Sequence, residues 1–420
     1  MEPPVVENGR QMTATRVDSA TGNLLVAGKR VFPLGLSDPP PVDSSAPGGQ
    51  PAWAEIASAG ANFTRNYTVW TRESAAEDLI SVRHQLEAAQ RHGLQLWLAL
   101  AGIDNNLAHT ALLNDIVNTL KSHPGLGVWK GADEPAHGHI PAAGLVAVRK
   151  HLQTLDPNHP IAIIQAPRAP APVGSTRDKP LTVAAVKRYA AACDIHGIDI
   201  YPISQPPGKH AGGRPVNTDI SVVGDMTRLI ARTSARKSIW MTLQIAWSGV
   251  LPPKNRLVFP TLPQARFMAY DAIVAGARGL FFFGGHLTHA MNARDKQLGW
   301  NWTYWKNVQR PLLEELSDAA HTAALTAPLA KRAVKANATD VAVSARQAGG
   351  FFYVIAVRRN PSRKGAIRFT GLPAGVTHGT VLAHPGGNPV RHVTAKRGAF
   401  SDPSPFAAHN ARVYRFPIPG

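Results

Sequence analysis

The chain holds one cysteine, Cys193, in 420 residues. A lone thiol excludes an intramolecular disulfide framework and any zinc site built on cysteine pairs. Charged residues make up only 17% against 44% hydrophobic, a balance that excludes global disorder and allows a large core. No apolar stretch reaches about 18 residues, so no membrane-spanning helix is expected. The opening Met1-Glu2-Pro3-Pro4-Val5-Val6 has neither a basic start nor an apolar run, and no signal peptide is read in it. Residues 1–23 read as a disordered lead-in.

Turn formers are plentiful, with 35 Pro and 36 Gly, which points to long ordered loops and not to a helical bundle. Positive charge is abundant and uneven. The net +18 comes from 45 basic and 27 acidic residues. From Lys331 onward 14 Lys/Arg face only Asp340 and Asp402, or +12, while the first 330 residues carry 31 against 25, or +6. Such asymmetry marks a separate C-terminal module, with either a solvated basic face or contact with an anionic polymer or envelope surface. The basic residues are dispersed (Arg358, Arg359, Arg363, Lys364, Arg391, Lys396, Arg397), and no nucleic-acid-binding motif accompanies them.

From Leu24 the chain alternates short apolar runs with amphipathic stretches. Leu24–Ala27 and Arg30–Leu36, split by Gly28-Lys29, read as a hairpin feeding the first strand. Eight short runs lie at Val31–Leu36, Asn62–Thr68, Leu94–Ala101, Gly127–Asp133, Pro160–Ala166, Asp194–Tyr201, Ser238–Ile245 and Arg278–Gly284. Helical patterns separate them, and an eighth covers Tyr304–Ala324. Gly93 and Pro157 stand where helices should stop. Strands alternating with helices imply parallel β-α units, and eight of them fit a closed (β/α)8 TIM barrel, an α/β fold. No glycine-rich phosphate fingerprint follows any run, which argues against a nucleotide-binding sheet. After about Leu329 the period changes to two, predicting a small antiparallel β-sandwich. The expected domains are the barrel over 24–326 and the basic β-sandwich over 327–420.

Barrel chemistry collects at the C-terminal ends of the strands. There the sequence places Arg65, Tyr67 and Trp70, then Asp104, then Asp133-Glu134-Pro135. Asp199 and Tyr201 follow the sixth run, Gln244 and Trp247 the seventh, and His286, with Trp302 beyond it, the eighth. Carboxylates can protonate a glycosidic oxygen or activate water. Indole and phenol rings offer flat faces for the C–H side of a sugar, and Arg, Tyr and Gln can bond its hydroxyls. Such chemistry needs no metal or cofactor. His137 and His139 flank Gly138, but no third ligand follows at a known interval. Ser204 and Ser248 stand outside any Gly-x-Ser-x-Gly elbow. Each rim residue also has a structural reading: Glu134 as an acid at the start of the fourth helix, Asp133 as its cap, Gln244 as a satisfied strand-end amide, and the indoles as barrel closure. Trp97, Trp129 and Trp240 lie within strands and are expected in the core.

The run Gly127-Val-Trp-Lys-Gly-Ala-Asp-Glu-Pro135 resembles the fourth-strand segment of clan-A-like glycoside hydrolases. Asp194-Ile-His-Gly-Ile-Asp-Ile-Tyr-Pro202 resembles their sixth-strand segment, and Pro263–Gly279, with Arg266, Tyr270 and Gly276-Ala-Arg-Gly279, is similar to the seventh-helix and eighth-strand stretch of poorly characterised glycosidase-like proteins. The resemblance implies a carbohydrate substrate, Glu134 as general acid, Arg65 as support for the carboxylates, and a secreted or envelope-associated protein. Where a retaining member would carry its nucleophilic glutamate, this chain has Gln244, and an amide cannot serve. Three readings stay open. In the first, the second carboxylate is Asp199, with Asp104, Asp133 or Glu73 behind it, at a spacing wide enough for water. In the second, the substrate supplies its own nucleophile. Or catalysis is lost and the groove only binds glycan.

Overall fold

The computed structural model describes residues 6–7, 10–11, 13–169, 179–203, 217–246, 259–359, 366–384, 390–404 and 406–419. The eight apolar runs become eight parallel strands: β1 Leu34–Leu36, β2 Phe63–Arg65, β3 Gln95–Ala99, β4 Leu126–Asp133, β5 Ile161–Gln165, β6 Ile195–Asp199, β7 Ser238–Gln244 and β8 Gly279–Phe283. Each bonds its successor and β8 returns to β1, closing the barrel. The helices outside are α1 Ala52–Ser58, α2 Ala75–Arg91, α3 Thr110–Leu120, α4 Ala142–Leu155, α5 Val183–Tyr189, α6 Val222–Thr233 and α7 Leu262–Ala275. The last of these starts with Thr261 and Gln264 bonding each other's backbone reciprocally, which satisfies two orphan donors. The eighth helical pattern breaks. Pro311 cannot donate to the preceding turn, and Trp305–Gln309 widens to π geometry before α8 Arg310–Ser317. Asp318 then leaves the helical conformation and caps α9 Ala319–Thr326.

Large rings fill the barrel. Trp97 and Trp240 meet edge to face at 5.5 Å, and Phe281 stacks on Trp240 at 5.0 Å. They fit because neighbouring wall positions lack side chains. A Cβ on Gly35 would come within 2.5 Å of the Phe281 ring, one on Gly127 within 2.7 Å of Phe63, and one on Gly279 within 2.8 Å of Trp240. Contacts that short force repacking at a cost of about 1–3 kcal/mol each. Trp129 instead faces the helices and donates to Asp156 at 2.7 Å.

Residues 13–23 are not a disordered lead-in. Thr15–Val17 pairs with Leu24–Val26, which pairs with Lys29–Val31. Ala27 and Gly28 form the turn with φ of 47° and 77°, the two left-handed residues a tight hairpin wants. Leu24 packs on the barrel's interior rings, so this small sheet closes the bottom. Apolar contact holds the short, polar-looking strand, and periodicity over three residues does not reveal it.

The C-terminal strands are β9 Lys335–Ala336, β10 Val341–Ala348, β11 Phe351–Arg358, β12 Ile367–Thr370, β13 His378–Val381, β14 Arg391–Lys396, β15 Ala399–Asp402 and β16 Asn410–Pro417. All pairings are antiparallel. β14 pairs with β13 along its first residues and with β15 at its end, so it passes from one sheet to the other, as sandwich corners do. Phe369 and Phe400 from one sheet meet Tyr414 and Phe416 from the other at 4.8–5.5 Å.

Candidate active site

β4 ends at Asp133, and Glu134 turns the chain with φ of 45°. A side chain held in the left-handed region costs about 1 kcal/mol or more and persists only where its surroundings fix it. They do so here: Glu134 N–H donates to Ile164 at 2.8 Å, and its carbonyl accepts from His137 and Gly138 at 2.9 and 2.8 Å. Helix α4 begins only at Ala142, with Pro141 before it. Neither Asp133 nor Glu134 therefore caps that helix.

The loop after Glu134 is tied to the neighbouring strands. Ala136 N–H donates to Gln165 Oε1 at 3.2 Å, Gln165 Nε2 reaches His196 Nε2 at 3.2 Å, and His196 Nδ1 reaches Ser234 Oγ at 2.8 Å. With Gln165 donating, His196 is neutral and carries its proton on Nδ1. Burial, helped by Lys237, pushes His196 down to about 3. Its unfolded value is near 6.5, so the stability gained by keeping it neutral is full above pH 6.5 and drains as pH falls toward 3, by up to about 4 kcal/mol. A plot of melting temperature against pH is expected to fall across that window and to be flatter in His196→Gln.

Asp133 is clamped. Arg65 Nη2 lies 3.1 Å from one carboxylate oxygen and Lys130 Nζ 3.1 Å from the other. Enclosure would raise Asp133, but the two cations hold it down to about 2. Its side chain nevertheless keeps 48% of its surface open. Burial lowers Lys130 to about 8 against the pull of Asp133. Asp104, also buried near Lys130, is raised by burial to about 6. Arg65 further stacks over Tyr67 at 3.9 Å.

The second carboxyl is Asp199, 6% exposed, at the end of β6. Burial raises it well above the carboxylate range, and Glu134, in hydrogen-bond contact, raises it further. A buried carboxyl beside another is favoured in its protonated form, and Asp199 is so placed. The sequence suggests a gap wide enough for water between the two carboxyls, whereas Asp199 has the Glu134 carboxyl as a near neighbour. Tyr201 lies beside the pair, stacked on Phe283 at 5.2 Å, its hydroxyl raised by burial and by Asp199. Across the mouth, the Asp38 carboxylate takes His286 Nδ1 at 3.2 Å and Gly284 N–H at 3.2 Å, and Tyr67, its hydroxyl raised by burial, lies near it.

Three expected site residues fall elsewhere. Gln244 is 1% exposed, accepts from Ile203 N–H at 3.0 Å and donates to Ile203 carbonyl at 2.6 Å. It is a strand-end amide that anchors the loop after Tyr201 and offers nothing to a sugar. Trp70 is 2% exposed and donates to Ala99, and Trp302 is 2% exposed against Trp300 and Trp305. Neither forms a groove wall. Trp247, like Ser204 and Ser248, lies outside the described residues. Glu73 is exposed on the turn before α2. Restoring the seventh-strand carboxylate with Gln244→Glu is expected to bring no new turnover and to destabilise by about 1–3 kcal/mol, since a donor to Ile203 is lost in a buried place; thermal melting and product assays check both.

Sequence reading missed Asp38, Lys130, Gln165 and His196. Among the described residues no group of three His, Cys, Asp or Glu side chains is arranged for a metal ion, and no helix is long and apolar enough to cross a membrane.

Structures of glycan-cleaving enzymes superpose on nearly the whole chain. A protein described as a glycoside hydrolase aligns with a TM-score of 0.65 at 12% identity, covering 97% of both chains. An endoxylanase of glycoside hydrolase family 30 from Clostridium papyrosolvens gives 0.54 at 11%, covering 97% of this chain and 100% of its own. An alpha-amylase from Geobacillus thermoleovorans, complexed with acarbose, gives 0.56 at 11%, covering 93% and 100%. These structures share with this chain a (β/α)8 barrel fold. In sequence, a beta-glucuronidase of Pongo abelii is 32% identical over 91 residues, which is 19% of this chain and 14% of that protein. The match thus spans about a seventh of the length of that relative. No protein-family model matches the chain.

Proposed function

We propose that the protein hydrolyses glycosidic bonds at the C-terminal mouth of the barrel, with Glu134 as the proton donor and Asp199 as its partner. The observation that carries this reading is the contact between those two carboxyls, one half-open to the cleft and one buried behind it. A proton carried by the pair passes through Glu134 to the leaving oxygen as the C–O bond breaks. The pair, now doubly anionic, stabilises the oxocarbenium-like sugar and takes a proton from the attacking water. Charge and protons balance over the cycle. Asp133, locked as an anion by Arg65 and Lys130, adds a negative field, and Tyr67, Tyr201 and His286 line the place where the sugar sits. The action is on an oligo- or polysaccharide, and a secreted or envelope-associated setting goes with it.

The test is product release from a panel of polysaccharides and aryl-glycosides, with wild type beside Glu134→Gln. Product from wild type alone supports the assignment; equal product from both removes Glu134.

One observation favours a second reading. The seventh-strand position is an amide clamped to Ile203 and not a free carboxylate, as in a glycosidase barrel that binds glycan without cutting it. Calorimetry with oligosaccharides separates the two: tight binding with no product supports the binder.

A further inference from the structure

The excess charge of the C-terminal domain is sorted by the fold. Its two carboxylates are both buried in ion pairs, Asp340 with Arg358 at 2.9 Å, and Asp402 with Arg391 and Arg412 at 2.6 Å each. Other arginines reach inward to the barrel. Arg346, fully buried, donates to Leu325 and Ile273 carbonyls, and Arg359 pairs with Asp225 at 2.7 Å and Asp271 at 3.2 Å. From Lys331 onward there is no other acidic residue, so the domain's outer surface carries no carboxylate side chain.

One sheet face gathers cations that these pairs leave out. In the order β9-β12-β15-β14 the register sets Lys335 beside Thr370, Thr370 beside Ala399 and Ala399 beside Lys396. Arg368 and Ser401 form the next row. Lys335, Arg368, Thr370, Ser401, Lys396, Thr394 and His392 are all exposed, while the alternate residues Phe369, Phe400 and Ala395 point into the sandwich. Arg397, at φ of 52°, adds a further exposed cation in the turn after β14. Gly371 N–H bonds Gly398 carbonyl at 2.9 Å, and a Cβ on Gly371 would meet Ala333, so Lys335 and Arg397 lie at the same end of the face, on its opposite sides.

We propose that this face docks a polysaccharide bearing carboxylates, separately from the barrel mouth. Strands lie about 4.8 Å apart, so Lys335 and Lys396 are about 14 Å apart across three spacings. Duplex DNA presents a charge every 1.7 Å or so, a far denser array. No Phe, Tyr or Trp lies on the face among the described residues, and a lone imidazole, His392, is a poor platform for successive bases. Between the cations stand the hydroxyls of Thr370, Thr394 and Ser401, which match sugar hydroxyls, and the guanidiniums of Arg368 and Arg397 suit the fork of a carboxylate. The choice of a sugar polymer rests on the glycosidase reading. The binding measurement needs no turnover, so the two can fail separately.

Affinity electrophoresis and calorimetry of the full chain with polygalacturonate, dextran and single-stranded DNA test the proposal at about 50 and 500 mM salt. The comparison is with Lys335→Gln/Arg368→Gln/Lys396→Gln/Arg397→Gln, whose melting temperature is measured alongside. Polygalacturonate is expected to bind, dextran not, and the variant to bind at least tenfold more weakly with a shallower salt dependence. An equally folded variant that binds as wild type does overturns the proposal. So does equal binding of dextran, tighter binding of DNA, or no binding of polygalacturonate at low salt. Should the quadruple variant fold poorly, Lys396→Gln/Arg397→Gln alone is expected to lose part of the affinity, and an unchanged value there overturns the proposal too.

Discussion

Glu134→Gln is expected to lower kcat/KM on any glycan or aryl-glycoside the protein cleaves by about 100- to 10,000-fold, the usual range for a positioned acid. The amide keeps the shape and the turn at φ of 45° but has no acidic proton to give. It also changes Asp199. With a neutral amide beside it in place of a carboxyl, the like-charge contribution to its raised value disappears and Asp199 ionises at lower pH. The wild-type pH profile should therefore show its descending limb above the ordinary carboxylate range, because activity needs a proton on the pair and is lost as pH rises through the raised value. On the acid side, activity falls when both carboxyls are protonated. Asp199→Asn is expected to move that descending limb, while a neutral substitution on an outer helix leaves it in place. A loss smaller than tenfold in Glu134→Gln, or a limb unmoved by Asp199→Asn, would separate the pair from the chemistry.

The barrel was legible because period and punctuation agree. Each apolar run became a strand, and the small and large residues that make the interior fit, Gly35 with Phe281 and Gly279 with Trp240, occupy those runs. The strand-end rule likewise brought Glu134, Asp199 and Tyr201 into view. What it could not show was partnership. Lys130 and Asp133 are three apart, which on a regular strand puts them on opposite faces. The register of β4 against β5 shifts between Ala162 and Ile164, and this bulge brings both to one carboxylate contact. Gln244 read as a rim donor because its two bonds go to Ile203, a backbone group 41 positions away that no local pattern announces. Asp38 was passed over for lying beyond a three-residue strand, in the Ser37-Asp38-Pro39 loop. The indoles of Trp70 and Trp302 are rim residues by position and core residues by burial, a difference set by loops folding back over them.

Arg266→Met is expected to cost about 3–5 kcal/mol, because it leaves a carboxylate buried without its cation. Arg266 belongs to α7, and its Nε and Nη2 bond the Glu315 carboxylate of α8 at 2.8–3.0 Å. Its Nη1 donates to Ala411 carbonyl in β16 at 2.8 Å, and Tyr270 donates to the same Glu315 at 2.7 Å. One side chain thus joins two barrel helices to the β-domain, and both the carboxylate and the carbonyl depend on it. The pair is 5% and 4% exposed, so water cannot replace the lost donors. Pairing with Glu315→Leu should recover much of the loss, since two apolar groups leave neither charge stranded, although Ala411 stays unsatisfied. Urea unfolding followed by tryptophan fluorescence would show the single variant's midpoint well below wild type and the double variant's in between. A single variant within about 1 kcal/mol of wild type would mean that the helices and the β-domain are held by apolar contact alone. These residues carried part of the family resemblance in the sequence, and the structure gives them an architectural reason to be there, at the domain junction and away from Glu134 and Asp199.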